Sequence, residues 1–220
     1  MFKKIAIGAA VAAPLGYYYY TTNILPKANK VLPSGADALK LLEGKFPSRN
    51  FLYIQHVGSY GKVDDTFRIV SGDLKDFSKK LGNAQFAAFF YDNPSSMPAS
   101  SNLRGVVGVL YDKSNKGAAQ EWIKQHSEYD FKELPEVTTL SAKAPAALGL
   151  NASSWVSTML FPKIKEYFSS KNLRGLEQAP LIEVYDVEND KIKCIEFHVP
   201  YGAHVDSLWL TKAPEYKPHK

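Results

Sequence analysis

Glu183 and Tyr185 stand two residues apart in the strand-like run Leu181-Ile182-Glu183-Val184-Tyr185. Alternation sends both to one side with Leu181, and Ile182 and Val184 to the other. If helices cover the aliphatic pair, the carboxyl and the phenol face an open groove. A carboxylate walled by tyrosines draws a cationic aromatic ligand through charge and ring quadrupole together. Taken out of water, the same carboxyl has its pKa raised and serves as a general acid or base. Tyr60 and Tyr91 are candidate walls, and His56, beside the glycine turn that holds Tyr60, is a candidate lining residue. The plainer alternatives stay open: Glu183 hydrogen-bonds Tyr60 or a buried backbone group, the tyrosines are core, and His56 is structural or faces solvent.

Other chemistries find less support. Cys194 is the only cysteine, so neither a disulfide framework nor a cysteine zinc cage is available. His198 and His204 lie near Asp206, but no helix-spaced pair completes a ligand set, so no metal and no cofactor is expected. There is no Gly-x-Ser-x-Gly elbow, Walker motif or dinucleotide fingerprint, which lowers the weight of the familiar enzyme classes. The net charge of +5 arises largely at the ends, from Lys3, Lys4, Lys27, Lys30, Lys212, Lys217 and Lys220. Without a basic stripe interleaved with aromatics, no nucleic-acid partner is expected.

The elements that would position these residues repeat. Residues 51–57 alternate as a strand, and Val63, Phe67, Val70, Leu74, Phe77 and Leu81 then step by four and three as a helical stripe. Residues 85–91 and 104–111 are further strands. The same order recurs as strand 137–142, helix 155–173, strand 181–185 and strand 193–200, a duplication of about ninety residues. Pro162 falls inside the second helix, where a bend or a restart is expected. Phe89 and Tyr91 occupy the places in the first half that Glu183 and Tyr185 take in the second, so the carboxylate occurs on one side only. A short helix, 118–126, joins the halves.

Residues 5–26 carry no charge and are long enough, at ~1.5 Å per residue, to reach across ~30 Å of hydrocarbon. Tyr17, Tyr18, Tyr19 and Tyr20 suit a headgroup boundary, and Lys3, Lys4 and Lys27 bracket the run. The competing reading is a cleaved secretory signal with small residues at Ala10, Ala12 and Ala13. The expected organisation is a membrane anchor at 1–25, a linker at 26–48 with a helical turn near 36–42, a domain at 49–210 with halves 50–112 and 136–200, and a basic tail at 211–220. Asn151-Ala152-Ser153 is a glycosylation sequon that matters only in a lumen.

Several strings combine into a wider pattern: His56-Val57-Gly58-Ser59-Tyr60-Gly61, Tyr91-Asp92-Asn93-Pro94, Pro98, Arg104-Gly105-Val106-Val107-Gly108, Ile182-Glu183-Val184-Tyr185 and Glu196-Phe197-His198-Val199-Pro200. Over residues 50–200 this resembles the gyrase-inhibitor-like (GyrI-like) effector-binding domains, and among them the membrane-anchored testis-expressed protein 264 family. Gly58, Gly61, Asp92, Asn93, Pro94 and Arg104 are the motif positions. Asp92-Asn93-Pro94 reads first as a turn, and Arg104 pairs with Asp92 or with an outside carboxylate.

The resemblance implies an α+β fold of two β-α-β-β modules about a pseudo-twofold axis, helices on one side and a concave sheet groove on the other, with an N-terminal membrane helix. Ligands sit in that groove, and the glutamate at the position of Glu183 takes part in binding them. It further implies an endoplasmic-reticulum membrane protein with the domain facing the cytosol, acting as a noncatalytic adaptor or receptor-like protein in reticulophagy with a protein partner. The alternative is a small-molecule binding protein or hydrolase using the groove glutamate on a cationic or aromatic compound; after signal cleavage the domain would be secreted or luminal. The acidic, serine-rich tail through which that family binds autophagy modifiers is not matched, so receptor activity does not carry over residue by residue. Phe131-Lys132-Glu133-Leu134, after Glu128 and Asp130, has the aromatic-x-x-aliphatic form of such motifs, with packing as a strand the competing reading.

Overall fold

Eight strands form one antiparallel sheet in the computed structural model, which describes residues 40–81, 83–92, 102–145, 152–173, 175–176, 179–188 and 191–211. The strands are β1 (Leu42–Phe46), β2 (Arg49–Gly58), β3 (Gln85–Phe90), β4 (Leu103–Tyr111), β5 (Asp130–Leu134), β6 (Val137–Pro145), β7 (Leu181–Glu188) and β8 (Lys191–Tyr201). The helices are α1 (Val63–Leu74), α2 (Lys116–Gln125) and α3 (Ala152–Ser170). Both halves therefore follow the expected strand, helix, strand, strand order. The anchor at 1–25, Asn93, Pro94, the sequon at Asn151 and nearly all of the basic tail lie outside the described residues. Among the described residues no helix is long and apolar enough to cross a membrane.

The sheet order, β1-β6-β8-β7-β3-β4-β2-β5, reads the same from either end once the halves are exchanged. Each half lends its leading strand to the other: β1 pairs with β6, and β5 pairs with β2. The registers agree residue by residue. Leu42 opposes Ser141 as Asp130 opposes Tyr53, and following the pairings inward makes Gly108 the equivalent of His198 and Ala87 the equivalent of Ile182. Ala88 and Glu183 are thus equivalents, and they also face each other across the central β3–β7 pair. The pseudo-twofold axis passes between them.

This corrects the expected correspondence. Ala88 and Phe90, not Phe89 and Tyr91, match Glu183 and Tyr185. A one-residue slip in a strand moves every side chain to the other face.

It also corrects the expected faces. Glu183 lies on the side of the helices, with Leu52, Val107, Leu181 and Phe197 of the sheet, Phe67, Val70 and Leu74 of α1, and Leu160, Ile164 and Phe168 of α3. Ile182 and Val184 lie on the opposite side with Phe46, Phe51, Phe89 and Val106, where Leu208 and Leu210 close over them. The face expected to be a bare concave groove is a second core. The turn Val205–Leu208 and the residues after it form a strap across it.

Three further differences have local causes. Residues 42–46, expected as linker, form β1 because β6 has a free edge for them. α1 ends at Leu74, not Leu81, yet a turn and the short helix Ser78–Lys80 keep Phe77 and Leu81 on the same core. α3 continues through Pro162 without restarting, with Leu160, Ile164 and Phe168 anchoring it on both sides of the lost hydrogen bond. Gly108 is required by packing: a Cβ there would run into the Leu52 carbonyl group and come within 2.7 Å of the Tyr53 Cα.

Candidate functional site

At the centre of the helix-side face, Glu183 is 2% exposed. Tyr185 donates its hydroxyl proton to Glu183 Oε2 at 2.5 Å, the one hydrogen bond to this carboxyl among the described residues. The pair forms because side chains at i and i+2 share a face and the phenol is long enough to reach back along the strand. Phe67 of α1 meets the Tyr185 ring edge-on at 4.8 Å and fixes it. Removal from water pushes the Glu183 carboxyl up to about 7, a rise that the Tyr185 hydrogen bond only partly offsets. Burial likewise raises Tyr185 well above its usual range, with the neighbouring Glu183 adding to it.

The floor around this carboxyl is apolar. Phe86 pairs with Tyr185, Ala88 with Glu183 and Phe90 with Leu181 across β3–β7, and Phe197 neighbours Glu183 on β8. Phe67 belongs to the helical stripe legible in the sequence, though not as a site residue, whereas Phe86 and Phe90 are identified by parity along β3 and β7 once the register is known.

The other candidates separate into two groups. His56 and Tyr60 lie at the end of β2. The Nε2–H of His56 is placed to donate to the Ser59 carbonyl at 3.3 Å, leaving Nδ1 to accept from the Thr66 hydroxyl at 2.8 Å, and burial lowers the pKa of the ring. Tyr60 donates to the Arg104 carbonyl at 2.6 Å and accepts from the Asp92 N–H at 3.1 Å. Its ring meets Phe90 edge-on at 4.8 Å, which links it to the floor beneath Glu183. Gly105 makes room, since a Cβ there would lie 3.8 Å from that ring and 3.1 Å from the Phe89 carbonyl oxygen.

Tyr91 lies on the opposite face. It donates to the Leu208 carbonyl and accepts from the Leu210 N–H, both at 3.1 Å, and stacks on Trp209 at 4.8 Å. It holds the strap and does not line the site. Asp92 takes Arg104 as an internal partner, with both nearly buried: the guanidinium reaches the carboxylate at 2.7 Å and the Arg104 N–H donates to it at 2.7 Å. Arg104 also lies 5.2 Å over the Trp209 ring. Gly58, with φ +150, and the helical turn Tyr60–Lys62 containing Gly61 shape the corner that delivers Tyr60.

His198 packs on Phe46 on the far face, 5.1 Å between ring centres, and His204 sits in a left-handed turn at φ 68. Among the described residues no group of three or more His, Cys, Asp or Glu side chains is placed to hold a metal ion. Phe131 to Leu134 are strand β5, paired along β2, with Leu134 buried.

No family model and no curated protein matches the chain. Solved structures do. That of SAV2435 bound to tetraphenylphosphonium is similar at a TM-score of 0.50 and 9% identity, over 74% of this chain and 94% of that one. The EcmrR C-terminal domain follows at 0.49 and 10%, over 74% and 98%, and a hydrolase from Listeria innocua at 0.47 and 11%, over 74% and 92%. At such identities the likeness speaks for the fold alone, an α+β arrangement with a curled antiparallel sheet, consistent with a GyrI-like fold.

Proposed function

We propose that the domain binds lipophilic, aromatic organic cations at Glu183, on the face packed by α1 and α3 and over the β3–β7 pair. The observation that carries this is a single carboxyl, 2% exposed, that has one phenol as its partner and aromatic rings on its floor. Burying an ionisable group without a counter-charge costs stability, and a ligand that brings the charge offsets that cost. Phe67, Phe86, Phe90 and Tyr185 supply faces and edges for its rings. That a solved structure of this fold holds tetraphenylphosphonium supports the same ligand class. Isothermal titration of the chain with tetraphenylphosphonium tests it. Glu183→Gln keeps the shape and removes the charge, and is expected to weaken binding roughly tenfold or more, on the order of 1.4 kcal/mol. Equal affinity for both forms, or none for either, defeats the reading. Turnover of a strained or activated ester by the wild type but not the variant would move Glu183 from binder to general acid or base.

A second reading rests on the sequence outside the domain. The uncharged run 5–26, flanked by lysines and holding four consecutive tyrosines, supports tethering to a bilayer. The motif resemblance supports an endoplasmic-reticulum adaptor with its domain in the cytosol and a part in reticulophagy. Protease protection of the tagged chain in sealed microsomes, with occupancy of the Asn151 sequon, tests the topology.

A further inference from the structure

We infer that the Glu183 site exchanges a proton for its ligand: an organic cation seats against the carboxylate as the carboxyl O–H bond breaks and the proton leaves to solvent. This rests on the ligand reading above and adds the rule by which the site is regulated.

Among the described residues, the geometry is that of a carboxyl with no cation placed to balance a negative charge. On β7 its polar neighbour is Tyr185, whose one hydroxyl proton already goes to Oε2. Ala88 faces it from β3 and Phe197 from β8. α1 contributes the apolar Phe67 and, nearer Tyr185, the acidic Asp64, which further opposes negative charge there. α3 buries Leu160, Ile164 and Phe168, while its Lys163 and Glu166 line a surface hollow beside Leu41 and Tyr167. His56 and Tyr60 are committed to Thr66, Ser59, Arg104 and Asp92. Arg104, the buried cation of the domain's described core, is spent on Asp92.

An empty site of this kind holds its carboxyl neutral, and the raised pKa of Glu183 agrees. A cation supplies the missing charge and makes the ionised form the stable one. One O–H bond is exchanged for one ion pair and the electron count is unchanged. A neutral aromatic of the same shape gives no such exchange.

The test is calorimetric titration of the wild-type chain with tetraphenylphosphonium in two buffers of different ionisation enthalpy. Near pH 6 about one proton is expected to be released per cation bound, falling toward none near pH 8.5. The dissociation constant is expected to fall about tenfold for each unit that pH rises up to about 6.5, and to level off above about 7.5. Triphenylphosphine oxide, neutral and similarly shaped, releases none, and Glu183→Gln releases none with the cation. Release that persists in Glu183→Gln but vanishes in His56→Gln assigns the proton to His56 and overturns the inference. Binding without release near pH 6 overturns the exchange and leaves the ligand reading standing. Absence of binding at every pH overturns both.

Discussion

Ala88 and Glu183 face each other across the β3–β7 pair and are also equivalent positions of the two halves. An axis that relates two copies of one module therefore meets a methyl group on one side and a carboxyl on the other. Had both been acids, like charges would stand side by side in the core. With one, the described centre of the domain carries a single carboxyl, met by the Tyr185 phenol on an otherwise apolar floor.

That group makes stability depend on pH. Its folded value is raised from 4.5 to about 7, so the folded state binds more protons than the unfolded one between these values. The associated stability is fully present below about pH 4.5 and is lost as pH rises toward 7, on the order of 3 kcal/mol in all. Glu183→Gln is expected to melt at a higher temperature than wild type at pH 8 and near wild type at pH 4.5. Urea unfolding across this range checks the slope, and a gap that does not change with pH would refute the assignment.

Tyr185→Phe removes the hydrogen bond that favours the ionised carboxyl. The Glu183 titration is expected to move further up, followed by infrared absorption of the carboxyl in the folded range. A downward move would show that another group governs it.

Asp92→Ala removes the carboxylate that accepts from both the guanidinium and the backbone N–H of the nearly buried Arg104. A loss of roughly 3–5 kcal/mol is expected in chemical denaturation. Loss under about 1 kcal/mol would mean that the guanidinium relaxes to water.

Tyr91→Phe deletes both strap hydrogen bonds, to Leu208 and from Leu210, while keeping the ring on Trp209. A cost of about 1–3 kcal/mol is expected. Faster amide exchange at Leu210 than on β4 would localise it to the strap.

Gly108→Ala drives a methyl group into the β2 backbone and is expected to abolish soluble folding or to cost on the order of 4 kcal/mol. Gly44→Ala meets nothing within 4 Å and is expected to stay within about 0.5 kcal/mol of wild type. Soluble yield and melting temperature of the pair report the contrast.

What the sequence reveals and what it hides follow from where the signals lie. The stripe Val63, Phe67, Val70 and Leu74 is local, and it marks α1 correctly. Glu183 and Tyr185 share a face by strand geometry alone, and they meet. Which face that is depends on the register with β3, where Phe86, Phe89 and Phe90 offer apolar side chains to both sides. A strand buried on both faces has no polar alternation to set its phase. β1 and the strap are hidden for another reason. Leu42-Glu43-Gly44-Lys45-Phe46 is exposed along all but its last residue and carries no clear apolar alternation, and its partner β6 lies some ninety residues away. Leu208 and Leu210 follow the last strand in the chain and meet a core drawn from strands of both halves.

The trade of leading strands, β1 to the second half and β5 to the first, bears on ancestry. A single copy of the module, cut loose, has an unfilled seam where the borrowed strand belongs and a spare strand with no berth of its own. Two such fragments can repair one another by mutual loan, giving a homodimer with the present strand order. The fused chain then reads as that dimer made permanent, and Glu183 opposite Ala88 is one of the places where the copies have diverged.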